Sequence, residues 1–228
     1  MAGLLNTHPN IKYVFCNGGT SGAHFVRHVL PKVEREIYYM KLPSTSPANA
    51  SIPADQKMHM WLCIRHTIEN RVRYKSVATT KLGDIIILSD DVFVKDIFLP
   101  GSEPQYDNFA IFSGNKVSES AKNQIEEYFK GRIKEFDIPF EIEGTCFEKK
   151  VYKALMNVPY GSTVTYRELA GMAGNRNAAR AVGQALRKNR LPLVIPCHRV
   201  TGSGGKSVGF MGIRGNPLQN TLLALESS

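Results

Sequence analysis

Apolar positions along this chain change their spacing as the chain proceeds, and each change predicts a different kind of structure. A short apolar run, Ile11 to Phe15, is followed by a Gly/Ser turn region and a segment that predicts a helix over Ala23 to Met40. Pro, Ser, Asn and Ala then cluster without periodicity from Pro43 to Pro53, which predicts a loop. From about residue 70 the pattern becomes strand-like at Lys75 to Thr80, Asp84 to Leu88 and Val92 to Leu99. Gly83 and Ser89-Asp90-Asp91 at the joins predict antiparallel hairpins. Ser118 precedes a run in which Ala121, Ile125, Tyr128 and Phe129 share one helical face, with Gly131 as the stop, and Phe136 to Ile142 returns to strand character.

The last third reads as mainly helical. Thr145-Cys146-Phe147-Glu148 and Thr165-Tyr166-Arg167-Glu168 both fit the capping box, in which Thr accepts from the third residue's amide while Glu reaches back. The second box puts Tyr166 in the first turn of a short helix that Gly174 closes. A second helix follows from about Asn177 to Asn189, so the pair predicts a helix-turn-helix. With about 100° per residue and Arg180 at zero, Val182, Ala178, Ala185, Leu186 and Ala181 fall on the far side. Arg176, Arg180, Gly183, Gln184 and Arg187 gather around zero, giving a basic outer face. The small residues Ala179, Ala181, Gly183 and Ala185 would let the helix backbone approach a partner closely.

Charge sharpens that reading. The net charge is +9, yet residues 1–144 hold 17 basic and 17 acidic side chains, whereas residues 145–228 hold 12 and 3. A confined basic field is what a polyanion requires, so nucleic acid is the leading partner class. The opening MAGLLNTHPN lacks a basic segment leading into an apolar core, and no apolar stretch approaches a membrane span. The expectation is therefore an intracellular protein without membrane association, and for a protein acting on DNA, the nucleus. Four scattered cysteines, Cys16, Cys63, Cys146 and Cys197, do not resemble a secreted disulfide framework, which leaves a nucleophile among the candidate roles. Residues 191–200, Leu-Pro-Leu-Val-Ile-Pro-Cys-His-Arg-Val, predict a buried extended segment, with Pro196 breaking regular pairing just before Cys197. Neighbours on an ideal strand point to opposite faces, so His198 would act on the Cys197 thiol through a bend or a bridging water.

Val-Pro-Tyr-Gly at 158–161, Thr165-Tyr166-Arg167-Glu168-Leu169-Ala170, Ala178-Ala179-Arg180-Ala181-Val182-Gly183, Asn189, Ile195-Pro196-Cys197-His198-Arg199-Val200 and Leu222-Leu223-Ala224-Leu225-Glu226 follow one another in order. That series resembles the O6-alkylguanine-DNA alkyltransferases. The resemblance is strong over about 145–200, resumes at 222–226, is looser over 70–144 and does not extend to residues 1–69. It implies an α+β protein in three parts: an extension of unknown role over 1–69, a ribonuclease-H-like domain over 70–143, and a mainly helical, winged-helix-like DNA-binding and alkyl-acceptor domain over 144–228.

It also implies roles for particular residues. Cys197 takes the alkyl group, His198 receives the thiol proton through a water, Glu226 orients the imidazole, and Tyr166 protonates or hydrogen-bonds the leaving guanine. Arg180 fills the place of the extruded base as the second helix enters the minor groove, with Ala179, Arg176, Gln184 and Arg187 on the DNA-facing side. Asn189 links that helix to the cysteine segment, backbone groups at Cys197 and Val200 read the guanine edge, and Met211 walls the pocket. The implied partner is double-stranded DNA containing O6-alkylguanine, bound by a monomer without a cofactor.

Two departures stand out. The family's pocket loop runs Gly-x-Tyr-x-x-Gly with a Lys further on, whereas here Gly209-Phe210-Met211-Gly212-Ile213-Arg214-Gly215 has no tyrosine, and Gln219 or Asn220 stands near the Lys position. Thr221 replaces a large aromatic residue. Some family members hold a structural zinc; Cys16, His24, His28, His59, Cys63 and His66 are spaced poorly for one, so ordinary structural roles are expected. Two other functions compete: a DNA-binding protein that senses alkylguanine without chemistry, and a cysteine hydrolase. Non-transferring relatives lack the cysteine, and a hydrolase would need an oxyanion site that the sequence does not offer.

Overall fold

The structure, a computed structural model, describes residues 1–46, 51–102, 110–205, 209–211 and 216–227. In chain order these form α1 (Ala2–Thr7), β1 (Tyr13–Asn17), α2 (Gly19–His24), β2 (Tyr38–Leu42), α3 (Ala54–Ile68), β3 (Val72–Thr80), β4 (Gly83–Ser89), β5 (Val94–Phe98), β6 (Ala110–Ser113), α4 (Lys116–Phe129), α5 (Cys146–Met156), β7 (Val164–Thr165), α6 (Tyr166–Met172), α7 (Ala179–Arg187), β8 (Val200–Thr201) and α8 (Pro217–Glu226). The mixture of helix and strand agrees with the α+β reading. Among the described residues no helix is long and apolar enough to cross a membrane.

The chain divides into two compact units, Met1–Tyr74 with Gln105–Ser113 and Lys75–Pro104 with Gly114–Ser228. The boundaries expected at 69/70 and 143/144 do not coincide with this division. In the first unit β1 and β2 pair in parallel, Tyr13 opposite Tyr38 and Asn17 opposite Leu42. The helix expected over Ala23–Met40 ends early: α2 continues through single turns only as far as Lys32, where Pro31 stands. The aromatic run at Tyr38–Tyr39 suits a pleated surface and joins the strand pair instead. Helix α3 was not foreseen, because its apolar residues do not keep to one face, and the expected loop over 43–53 lies partly outside the described residues.

In the second unit β4 and β5 form the expected antiparallel pair, and α4 packs its apolar face, Ala121, Ile125, Tyr128 and Phe129, into the core. The cap of α4 is Asn115 rather than Ser118. Ser118 sits three residues in, where its amide donates to Asn115 and its hydroxyl accepts in return. Phe136–Ile142 makes a single bridge, Val94 with Phe140, and no strand, since Pro139 has no N–H and contributes only a carbonyl to Val94. Both predicted Thr/Glu boxes are present, at Thr145/Glu148 and Thr165/Glu168.

Residues 191–200 are buried throughout, but only Val200, where β8 begins, is a strand residue. Leu193 turns through a left-handed conformation (φ 75°), Ile195 N donates to the Leu191 carbonyl, and Cys197–Arg199 form one 3-10 turn. A left-handed leucine costs roughly 1–2 kcal/mol, which its almost complete burial offsets.

Candidate active site

Cys197 stands at the first position of the 3-10 turn, 8% exposed. Its neighbours are fixed through Asn189, which follows α7 closely. The Asn189 amide donates to the Ile195 carbonyl (2.9 Å) and to Cys197 Sγ (3.2 Å), while its oxygen accepts from Leu191 N (3.0 Å). One side chain thus ties the end of α7 to the thiol. Burial pushes the Cys197 thiol up to about 11, against a smaller opposing effect of the Asn189 hydrogen bond. At neutral pH the resting group is therefore the thiol, and a base must take its proton before it acts as a nucleophile.

His198 lies one residue away. The 3-10 turn removes the strand geometry that would have sent adjacent side chains to opposite faces, and it buries His198 completely. His198 Nε2 lies 2.8 Å from Glu226 Oε1. Burial alone would raise the Glu226 carboxyl, but hydrogen bonds from His198 and Arg199 outweigh it and hold the group well below the usual carboxylate range. A carboxylate only accepts, so Nε2 carries the imidazole proton and Nδ1 presents its lone pair. Nδ1 is buried and has no hydrogen-bond partner among the described residues. Burial also lowers the His198 pKa, more strongly than Glu226 raises it, so the ring is neutral and ready to accept.

Glu226 is held by more groups than sequence reasoning supplied. Arg199 donates to both carboxylate oxygens, at 2.9 Å to Oε2 and 2.8 Å to Oε1, and also to the Val158 carbonyl at 2.7 Å. Tyr128 donates its hydroxyl at 2.6 Å and Gly161 its amide at 3.0 Å. Gly161 has φ 74°, and a Cβ there would stand 2.8 Å from the Glu226 carbonyl oxygen, so a close backbone approach accompanies the hydrogen bond. These partners left faint signals. A buried Tyr128 on an apolar helix face needs an acceptor for its hydroxyl, and an Arg beside the reactive pair needs a counter-charge.

Tyr166 reaches the same region from α6. Thr165 caps α6 and also pairs with Thr201 in the short parallel ladder of β7 and β8, which runs on directly from the cysteine turn. Burial first, and the nearby Cys197 second, raise the Tyr166 pKa, so its hydroxyl keeps its proton at neutral pH. It donates to the Gly209 carbonyl at 3.2 Å.

A cavity of about 400 Å³ opens between these elements, lined by Tyr166, Cys197 and Met211 and by Ala179, Arg180, Gln184 and Arg187 of α7. Arg180, Gln184 and Arg187 are exposed, while Val182 and Ala185 are buried beneath them, as the helical wheel predicts. Met211 adopts a left-handed backbone (φ 52°), and the rest of the divergent loop, 212–215, lies outside the described residues. Arg176 is exposed but stands apart, beside Gly171. Val200 is buried and not part of the lining; its amide donates to the Cys197 carbonyl. Among the described residues no three His, Cys, Asp or Glu side chains are grouped to hold a metal ion, although the rings of His24 and His28 stack with centroids 4.7 Å apart.

A buried thiol with a neutral imidazole beside it, facing a cavity whose wall is the basic helix of a helical pair, defines a class of protein that carries cysteine chemistry to a large anionic substrate. Comparison with known proteins narrows the class. The family model described as 6-O-methylguanine DNA methyltransferase, DNA binding domain, matches residues 146–228. The chain is 36% identical over 156 residues to the methylated-DNA–protein-cysteine methyltransferase of Methanosarcina acetivorans, covering 68% of this chain and 99% of that one. A crystal structure of the Mycobacterium tuberculosis O6-methylguanine methyltransferase superposes with a TM-score of 0.61 at 32% identity, covering 68% and 93% of the two chains. The same organism's protein solved in complex with DNA gives 0.61 at 30% identity, covering 68% and 92%. The chain belongs to the methylated-DNA–protein-cysteine methyltransferase family.

Proposed function

We propose that this protein repairs DNA directly, moving the alkyl group of O6-alkylguanine onto Cys197 in a single irreversible transfer. The observation that carries this reading is Cys197 lining a cavity walled by α7, next in the chain to a buried His198 that is hydrogen-bonded to Glu226. The alkyl carbon is a soft electrophile and thiolate the matching nucleophile. The S–C bond forms as the O6–C bond breaks. The thiol proton passes through a bridging water to His198 Nδ1, the nitrogen that Glu226 leaves unengaged, and the electron pair departing with the guanine is met by the proton or hydrogen bond of Tyr166. The product is a thioether, which no water displaces, so each molecule acts once.

A base within a duplex cannot reach a thiol at the floor of this cavity, so the nucleotide is extruded, at a cost of roughly a few kcal/mol. The reading places α7 in the minor groove with Arg180 in the vacated stack, Ala179 and Gly183 permitting close approach, and Gln184, Arg187 and Arg176 on the DNA-facing side. Asn189 couples α7 to the cysteine turn, backbone groups at Cys197 and Val200 read the guanine edge, and Met211 forms an apolar wall. The β3–β4–β5 meander with α4 supports a ribonuclease-H-like scaffold over 70–143, and the β7–β8 ladder beside α6 and α7 supports a winged-helix-like module over 144–228. The protein acts as a monomer, without a cofactor, in the nucleus.

Substitution of the acceptor tests the reading. Cys197→Ala should bind an O6-alkylguanine duplex as tightly as the unaltered protein while accepting no labelled alkyl group. Undiminished transfer in that variant would assign the chemistry to another side chain, and repeated turnover by the unaltered protein would indicate a hydrolase.

A further inference from the structure

Arg190, one residue beyond Asn189, carries a set of contacts that the reaction as described does not use. Its guanidinium meets Asp96 of β5 at two points, Nε to Oδ1 at 2.6 Å and Nη2 to Oδ2 at 2.8 Å, and Nη1 donates to Glu143 at 3.1 Å. Its carbonyl accepts from the amide of Ile97, the next residue of β5, at 2.8 Å. Asp96 is buried, and β5 is itself paired with β4, Asp96 opposite Leu88 and Ile97 opposite Ile87. One hydrogen bond locates a peptide but lets it swivel, whereas a two-point pair with a planar carboxylate also fixes orientation. Two neighbouring residues of a paired strand thus set both the place and the direction of the chain at Arg190.

Asn189 lies between this anchor and the end of α7. The partners of its side chain, Leu191 N, the Ile195 carbonyl and Cys197 Sγ, all belong to the same short segment. They order that segment internally, while the contacts of Arg190 tie it to β5. We propose that Arg190, through its paired hydrogen bonds with Asp96, is a positioning residue that keeps the Asn189 amide on Cys197 Sγ and so sustains the reactivity of the sulfur. In the alkyl-transfer reading, on which this rests, Cys197 is the nucleophile. A donor on the sulfur stabilises the charge that develops as the thiol loses its proton, and a segment free to swivel loses that help. The backbone bond from Ile97 survives substitution of either side chain, so the two-point pair can be tested by itself.

The experiment is alkylation of Cys197 by iodoacetamide at pH 8, in which the thiolate displaces iodide, read by peptide mass analysis without DNA. Tyr152 of α5 and Tyr166 of α6, the tyrosines that sense the charge of Cys197, and the adjacent His198 are the same in every variant. Arg190→Met and Asp96→Asn should each slow the reaction about threefold to tenfold, the worth of one hydrogen bond. Through charge alone the two would differ in sign, loss of the cation slowing the reaction and loss of the carboxylate speeding it. A merely structural loss would open the buried thiol and speed both. In an Asn189→Ala background neither substitution should slow the reaction further, because the donor is already gone. Either variant decides alone should the other fail to fold: Asp96→Asn by the sign of its effect, Arg190→Met by its silence in the Asn189→Ala background. Unchanged or faster alkylation, opposite effects of the two, or full additivity with Asn189→Ala would overturn the inference. Single-turnover transfer from an O6-benzylguanine duplex should slow in parallel. If the unaltered protein transfers nothing while alkylation follows the predicted pattern, the alkyl-transfer reading fails and the role of Arg190 stands.

Discussion

At the scale of single residues, the reactivity of Cys197 depends on the path open to its proton. Burial holds the thiol at about 11, so in the absence of DNA its thiolate fraction at neutral pH is small and grows about tenfold per pH unit. Alkylation of Cys197 by iodoacetamide, followed by peptide mass analysis, should therefore keep accelerating from pH 7 to pH 10; a plateau reached near neutrality would mean that the resting group is already a thiolate. Glu226 carries the opposite linkage. Its folded-state pKa is depressed, so the stability it supplies is complete above the unfolded value of about 4.3 and is lost as pH falls through the lower folded value. Glu226→Gln should remove this acid dependence and leave Arg199 without its counter-charge, at a cost of about 3–5 kcal/mol in urea unfolding. The same variant should transfer slowly, because an amide NH2 facing His198 Nε2 would move the ring proton to Nδ1. A variant that unfolds at the same urea concentration and reacts at the same rate would contradict both assignments.

At the scale of elements, α7 has two faces with separate tasks. Val182 and Ala185 seat it in the core, and Arg180 stands exposed at the cavity rim. If Arg180 holds the gap left by an extruded nucleotide, Arg180→Ala should slow transfer from duplex DNA by one to two orders of magnitude while sparing transfer from free O6-benzylguanine, which needs no extrusion. Equal slowing of the two reactions, measured by single-turnover kinetics, would place Arg180 in the chemistry instead. Both faces of α7 were legible in the sequence because helical spacing separates them, and so were the Thr145 and Thr165 boxes, whose donors and acceptors are local. The cysteine segment was not. Its apolar, β-branched composition reads as a strand, but tertiary burial compensates a left-handed Leu193 and bends the chain into a 3-10 turn over Cys197–Arg199. The partners of Glu226 from α4 and from residues 158–161 left at most faint signals, since they come from positions far apart in the chain.

At the scale of the whole molecule, the basic excess and the reactive constellation lie in the same stretch of chain. All of the net charge of +9 arises within residues 145–228, where the family model matches and where Tyr166, Arg180, Cys197, His198 and Glu226 all stand. Packing groups β6, Ala110–Ser113, with Met1–Tyr74, an association of distant segments that composition does not register. Charge, helix pair and buried thiol converge on one event, in which a single sulfur accepts one alkyl group and keeps it. Intact mass before and after exposure to excess O6-benzylguanine duplex, with the site mapped by peptide fragmentation, tests this most directly. Complete conversion to a single benzyl adduct on Cys197, with no further change, is the predicted result; an adduct elsewhere, or dealkylated duplex accumulating beyond one equivalent while the protein mass stays constant, would contradict it.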